Sequence, residues 1–287
     1  MDLDLLLMPF KFGFMQKAFL ISAIVAVPTA LLSCFLVVKG WALMGDAVSH
    51  AVLPGVVIAY IFGLPLIIGA FAAGMTCALA TGYLSDRCRV KQDSIMGVVF
   101  SGMFGLGIVL YVSIDTNVHL DHILFGNILG VGPGDIISAG LISLVVIVGL
   151  LLKWRDLVLH SFDPTQVQTA GLSNNAIHYS LLAALSLTIV ATLTAAGLIL
   201  AIGLMIAPGA IAFLITRKFS TMLCSAVGIC IASMLAGTYA SFFLDSAPAP
   251  TIVLVLTIVF LIAFVYAQIK TRWWSRRRVA AGRAIVE

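Results

Sequence analysis

The sequence predicts an all-α polytopic membrane protein of about eight or nine transmembrane helices, and two observations carry that expectation. The chain is 62% hydrophobic and 10% charged over 287 residues, against ~25% charged in a soluble domain. Its apolar residues also fall in runs of about 20, the length that crosses ~30 Å of hydrocarbon as a helix.

In order, the runs lie at 18–38, 43–62, 64–84, 94–113, 134–152, 177–196, 199–216, 222–243 and 250–269. The first opens after Lys11 and Lys17 and closes at Lys39. Asp46 and His50 interrupt the second, and Arg87, Arg89 and Lys91 close the third. Gly97, Gly102, Gly105 and Gly107 crowd the fourth, while Lys153 and Arg155 close the fifth. The sixth and seventh form a nearly continuous apolar stretch that ends at Arg217 and Lys218. A basic tail of Lys270, Arg272, Arg276, Arg277, Arg278 and Arg283 follows the last run. The chain thus divides into a transmembrane domain, 1–270, and a basic tail, 271–287.

Orientation follows Lys and Arg in short connections, which resist translocation. With nine spans, every basic residue except Lys11 and Lys17 falls on one face, predicted to be cytoplasmic, and the C-terminus lies there too. The opposite connections 114–133 and 244–249 hold no Lys or Arg, and Asp115, Asp121, Asp135 and Asp245 lie in or beside them. An eight-span arrangement that fuses 177–216 differently would place Lys11 and Lys17 on the cytoplasmic face as well. The run ending Ala30-Leu-Leu-Ser-Cys34 also mimics a lipoprotein-type leader, but as the start of a chain that is membrane throughout it reads as the first span. The five cysteines form no CxxC pair, so neither a disulfide framework nor a thiolate metal site is indicated.

The second span carries the candidate chemistry. Asp46 and His50 are spaced i, i+4 and share one helix face, although an ionisable side chain in hydrocarbon costs about 2.5–3.5 kcal/mol. Carboxylate oxygen with imidazole nitrogen suits Mn, Fe or Zn and suits Cu(I) poorly. Ser49 is placed to orient the pair. Two ligands do not close a site, so a second copy across a two-fold axis, backbone carbonyls or water must complete it. The alternatives are an interhelical hydrogen-bond network, or a helix start at which Asp46 is only a cap. A weaker set, His119, Asp121 and His122, lies with Asp115 in an acidic segment that would concentrate divalent cations or would simply be a polar loop.

Pro54-Gly55 and Pro208-Gly209 mark spans that can kink or pack closely. In the long connection 153–176, Phe162-Asp163-Pro164 reads as a helix start with Asp163 as N-cap and Pro164 at the first position, and Gly171 fits a C-terminal stop. Such a helix can dock a partner. His160 reads as a solvated surface residue. The chain holds no G-x-x-x-x-G-K-[ST] loop and its only glutamate is Glu287, so it does not look like an ATPase, and no hydrolase signature points to an enzyme.

Taken together, Leu43-Met-Gly-Asp-Ala-Val-Ser-His-Ala-Val-Leu-Pro-Gly55, Leu124-Phe-Gly-Asn-Ile-Leu129, Ser161-Phe-Asp-Pro164 through Gly171, and Ala207-Pro-Gly-Ala210 resemble the permease subunit of the bacterial manganese/iron/zinc ABC importer family over roughly residues 10–270. The resemblance implies a fold like that of the vitamin B12 importer permease (type II ABC importer), and an inner-membrane location. It implies a second permease chain, a cytoplasmic ABC ATPase dimer and a periplasmic or lipid-anchored metal-binding protein. It also places the intramembrane metal ligands on Asp46 and His50 and ATPase coupling on Phe162, Asp163 and Gly171. Pro54 after Ala-Val-Leu looks more like the manganese/iron branch than the zinc branch. No permanently bound cofactor is expected, only a transported divalent ion. An ion-gradient-coupled secondary transporter for divalent metals is the alternative, using the same pair without an ATPase.

Overall fold

The computed structural model describes residues 7–113 and 128–283, the last 13 by backbone only. All regular structure among them is helical: α1 Met8–Lys11, α2 Gly13–Lys39, α3 Ala42–Ala51, α4 Leu53–Ile61, α5 Leu66–Arg87, α6 Gln92–Val112, α7 Pro133–Leu152, α8 Trp154–Phe162, α9 Pro164–Thr169, α10 Asn174–Ala196, α11 Leu198–Ile215, α12 Phe219–Leu244 and α13 Pro248–Arg283. A 3-10 turn, Ile128–Gly130, precedes α7. Counting α3 and α4 as one broken helix, Leu43–Ile61, nine described helices are long and apolar enough to cross a membrane.

The helix boundaries have local causes. Pro54 has no N–H to return to the His50 carbonyl four residues back, so the second span breaks at Val52 into α3 and α4. Gly197, at φ +81° and ψ 174°, separates α10 from α11 in a single residue. The two halves are separate spans. The start of α10 lies beside α8, with the His178 ring 6.0 Å from that of His160. Near the far end of α11, the Gly209 N–H donates to Ser33 Oγ, in the last third of α2. Both outer ends of the α10–α11 pair therefore lie at the Lys39 end of α2.

The two faces of the bundle are marked by aromatic contacts. Phe219, opening α12, lies 5.2 Å from Phe35 and 6.2 Å from Phe162. Tyr239 and Phe242, near the other end of α12, meet Phe10 and Phe12. Helix α13 leaves from that second end, so the two ends of the described chain emerge on opposite faces, as an odd number of spans requires. The core is built around α2, whose middle is buried from Ala30 to Leu36.

Close helix approach fixes the position of the broken second span. A Cβ on Gly55 would lie 2.1 Å from the Gly69 carbonyl oxygen, and one on Gly69 would lie 2.1 Å from the Gly55 carbonyl oxygen. Backbone meets backbone there, so no side chain can yield. On the other side Gly107 receives the Pro54 ring, with a would-be Cβ at 2.9 Å. Gly55→Ala and Gly69→Ala are each expected to destabilise the detergent-solubilised protein by about 1–3 kcal/mol, the usual penalty of overpacking. Thermal unfolding followed by fluorescence-detected size exclusion checks this, and Gly102→Ala is the control because its Cβ would meet nothing within 4 Å.

Candidate functional site

Asp46 lies in the second turn of α3, and Trp41 occupies the N-cap position. The carboxylate is therefore not a helix cap. Met44, Ala47, Val48 and Ala51 face the core, which turns Asp46 and His50 to the opposite side, their side chains 32% and 25% exposed. The His50 Nδ1 lies 3.1 Å from the Asp46 carbonyl oxygen and 3.2 Å from its carboxylate Oδ1. A proton on Nδ1 serves both acceptors and leaves the Nε2 lone pair free for a ligand. The carbonyl and the carboxylate together favour that tautomer.

Two aromatic rings from α6 wall the imidazole, Phe104 edge-on at 5.3 Å and Phe100 at 5.8 Å. At ~1.5 Å rise per residue these rings stand about 12–18 Å along α6 from Gln92. The pair thus faces the middle of α6. The Phe faces lower the local dielectric and strengthen any charge interaction made there. Sequence reasoning missed these phenylalanines, whose i, i+4 spacing is common to any apolar helix.

The Ser49 hydroxyl bonds within its own helix rather than to Asp46 or His50. Ser49 is buried, and the hydroxyl donates to the Gly45 carbonyl at 2.6 Å. His119, Asp121 and His122, with Asp115, lie outside the described residues. Among the described residues no group of three or more His, Cys, Asp or Glu is arranged to hold a metal, so Asp46 and His50 stand as a pair without a third such residue.

The second part of the site is the connection between α7 and α10, which folds into α8 and α9. Asp163 Oδ1 accepts from the Thr165 N–H at 2.9 Å, the Thr165 hydroxyl at 2.5 Å and the Gln166 N–H at 3.3 Å. The Thr165 hydroxyl and amide, with Gln166, hold its carboxyl below the ordinary carboxylate range. With a lowered native pKa, the stabilisation from this cap is present above the ordinary carboxylate pKa and is lost as pH falls through the lowered one. Gly171 ends the segment at φ +73°, a left-handed stop. Phe162 is 63% exposed at the end of α8. A shallow concavity of ≈ 410 Å³ is lined by Gly171, Leu172, Ser173, Asn174 and Asn175. The three positions predicted to couple to an ATPase are thus gathered at one end of the bundle, on the face of Lys39 and Lys153.

His160 is not the solvated residue that its polar neighbourhood suggested. It is 3% exposed and its Nε2 lies 2.5 Å from Lys39 Nζ. Burial and then the Lys39 charge push its pKa down, against an opposing pull from Asn174. A lysine ammonium has only donors, so the Nε2 lone pair accepts from it.

The chain is 48% identical over 262 residues to the "Chelated iron transport system membrane protein YfeD" of Yersinia pestis, covering 91% of this chain and 88% of that one. It is 42% identical over 272 residues to the "Manganese transport system membrane protein MntB" of Synechocystis, covering 94% and 89%. Among solved structures, "PsaBC from Streptococcus pneumoniae in complex with Fab" superposes with a TM-score of 0.81 at 31% identity, covering 89% of this chain and 92% of that one. The model of the ABC 3 transport family matches residues 11–267, and the chain belongs to that family.

Proposed function

We propose that this chain is the membrane permease subunit of an ATP-driven importer, moving divalent transition metal ions across the bacterial inner membrane by alternating access. The observation that carries the reading is the partly exposed Asp46/His50 pair facing the middle of α6, with Nδ1 against Asp46 and Nε2 left as a second donor. One oxygen and one nitrogen donor match Mn2+ or Fe2+, with Zn2+ compatible. The names of the Yersinia and Synechocystis relatives, for iron and manganese, favour the first two. A second permease chain supplies a second pair and closes the coordination sphere, and His119, Asp121 and His122 gather ions at the outer mouth.

ATP hydrolysis belongs to a separate ABC ATPase dimer, since this sequence has no phosphate loop. The dimer docks on α8 and α9 through Phe162, Asp163 and Gly171, and a metal-binding protein delivers the ion from outside. The test is reconstitution in liposomes. Radiolabelled manganese(II) uptake is expected only when the co-purified ATPase and ATP are present, whereas uptake by the purified chain alone under a proton gradient would establish the secondary transporter instead.

In this reading residues 1–270 form the permease domain, and the basic tail, which continues α13 as helix to Arg283, lies in the cytoplasm. Single cysteines placed at Asp2 and Ile285 in a background freed of exposed Cys88 and Cys224 check the orientation. An impermeant maleimide should reach position 2 from outside and not position 285; the reverse result would invert the topology.

A further inference from the structure

A cluster with no part in the chemistry described so far lies between the docking helices and the metal pair. His160 on α8 accepts from Lys39 Nζ at 2.5 Å, and Lys39 is the last residue of α2. The Lys39 ammonium sits 3.8 Å from the ring centroid of Trp41. Trp41 is the residue from which α3 departs, and its Nε1–H donates to Gln92 Oε1 at 3.1 Å, on the first residue of α6. The same indole meets the His178 ring edge-on at 5.1 Å on α10. One aromatic side chain therefore touches the end of α2, the start of α6 and the flank of α10, at the root of the helix that carries Asp46 and His50.

The arrangement has little slack. Only Gly40, at φ +73°, and Trp41 separate α2 from α3. Among the residues whose side chains are described no carboxylate stands within salt-bridge distance of Lys39, and its ammonium meets an imidazole lone pair and an aromatic face. Both contacts depend on direction and distance. A displacement of α8 changes the hold on Lys39, and with it the position of the indole. The indole is in turn tied to α6, which presents Phe100 and Phe104 to His50.

We propose that Trp41 is the positioning residue through which movement of the docking helices α8 and α9 reaches the Asp46/His50 helix. His160 and Lys39 link it to the docking side, and Gln92 links it to the aromatic wall. This inference rests on the metal-importer reading above. Breaking the link leaves metal binding and ATP hydrolysis in place but separates one from the other.

The experiment uses the complete complex of permease, ATPase and metal-binding protein in proteoliposomes, and reads manganese(II) transported per ATP hydrolysed. Trp41→Phe retains a ring over Lys39 but drops the Nε1–H donor, and His160→Leu removes the acceptor. Both are expected to lower the ratio by about fivefold or more, the low end of ordinary coupling between sites, with ATP hydrolysis maintained. His160→Gln, whose amide oxygen can still accept from Lys39, is expected to recover most of it. An unchanged ratio, an equal fall in uptake and hydrolysis, or a His160→Gln complex as uncoupled as His160→Leu would overturn the proposal. If His160→Leu does not assemble, the ratio measured for Trp41→Phe alone decides. A wild-type complex that moves manganese(II) without ATP would instead overturn the importer reading itself, which separates the two failures.

Discussion

Asp46→Asn and His50→Ala are each expected to abolish manganese(II) or iron(II) uptake while leaving the complex assembled. Asn preserves the size of the side chain but removes the charge that would offset a bound dication, and it weakens an acceptor that favours the Nδ1–H tautomer of His50. His50→Ala removes the open Nε2 donor outright. Loss of a ligand should exceed the ~10–100-fold that loss of an outer supporting partner costs. Neither change harms folding much, because both side chains turn away from the core and each variant is less polar than the native residue in an apolar layer. Ser49→Ala should leave uptake near normal, since the hydroxyl bonds only to Gly45 in its own helix. Radiolabelled uptake at matched expression decides it. Near-normal uptake by both pair variants would make the pair structural and move the question to His119, Asp121 and His122.

The parts of this molecule that were legible in the sequence are those with local causes. Hydropathy alone placed the spans, because each must cover the same apolar thickness, and the structure moves the first start only from residue 18 to Gly13. The i, i+4 spacing of Asp46 and His50, the Asp163 cap and the left-handed Gly171 are likewise set within one or two turns of chain. His160 shows what remains hidden. Its partner Lys39 is 121 residues away in the chain, and nothing near His160 in the sequence announces that contact. Phe100 and Phe104 were invisible for the same reason: the side they present to His50 is fixed by the crossing of α6 with the broken second span, where Gly107 admits Pro54. Spacing placed Ser49 beside the pair but could not show that its hydroxyl bonds to the carbonyl four residues back in its own helix.

Gly171→Val is expected to uncouple the permease from its ATPase without removing it from the membrane. A Cβ at Gly171 would meet nothing within 4 Å, so space is not the obstacle. The obstacle is φ +73°, where a β-branched residue is a steric outlier and the left-handed conformation costs an L-residue about 1–2 kcal/mol. Relief of that strain is expected to re-aim the turn between α9 and α10, and with it the concavity lined by Gly171 to Asn175. Exposed aromatics at such edges dominate docking energy, so Phe162→Ala should lose the ATPase as well. Asp163→Lys, which cannot accept from Thr165 and Gln166, should act in the same direction, whereas Asp163→Asn keeps an N-cap acceptor and should couple normally. Gly171→Asn separates conformation from side-chain bulk, because Asn tolerates the left-handed region while adding more atoms than a methyl. Recovery of the ATPase on affinity-purified permease, with uptake measured in parallel, gives the readout: the expected order is wild type, then Gly171→Asn, then Gly171→Val. Equal ATPase recovery and equal uptake from all three would remove Gly171 from the docking surface.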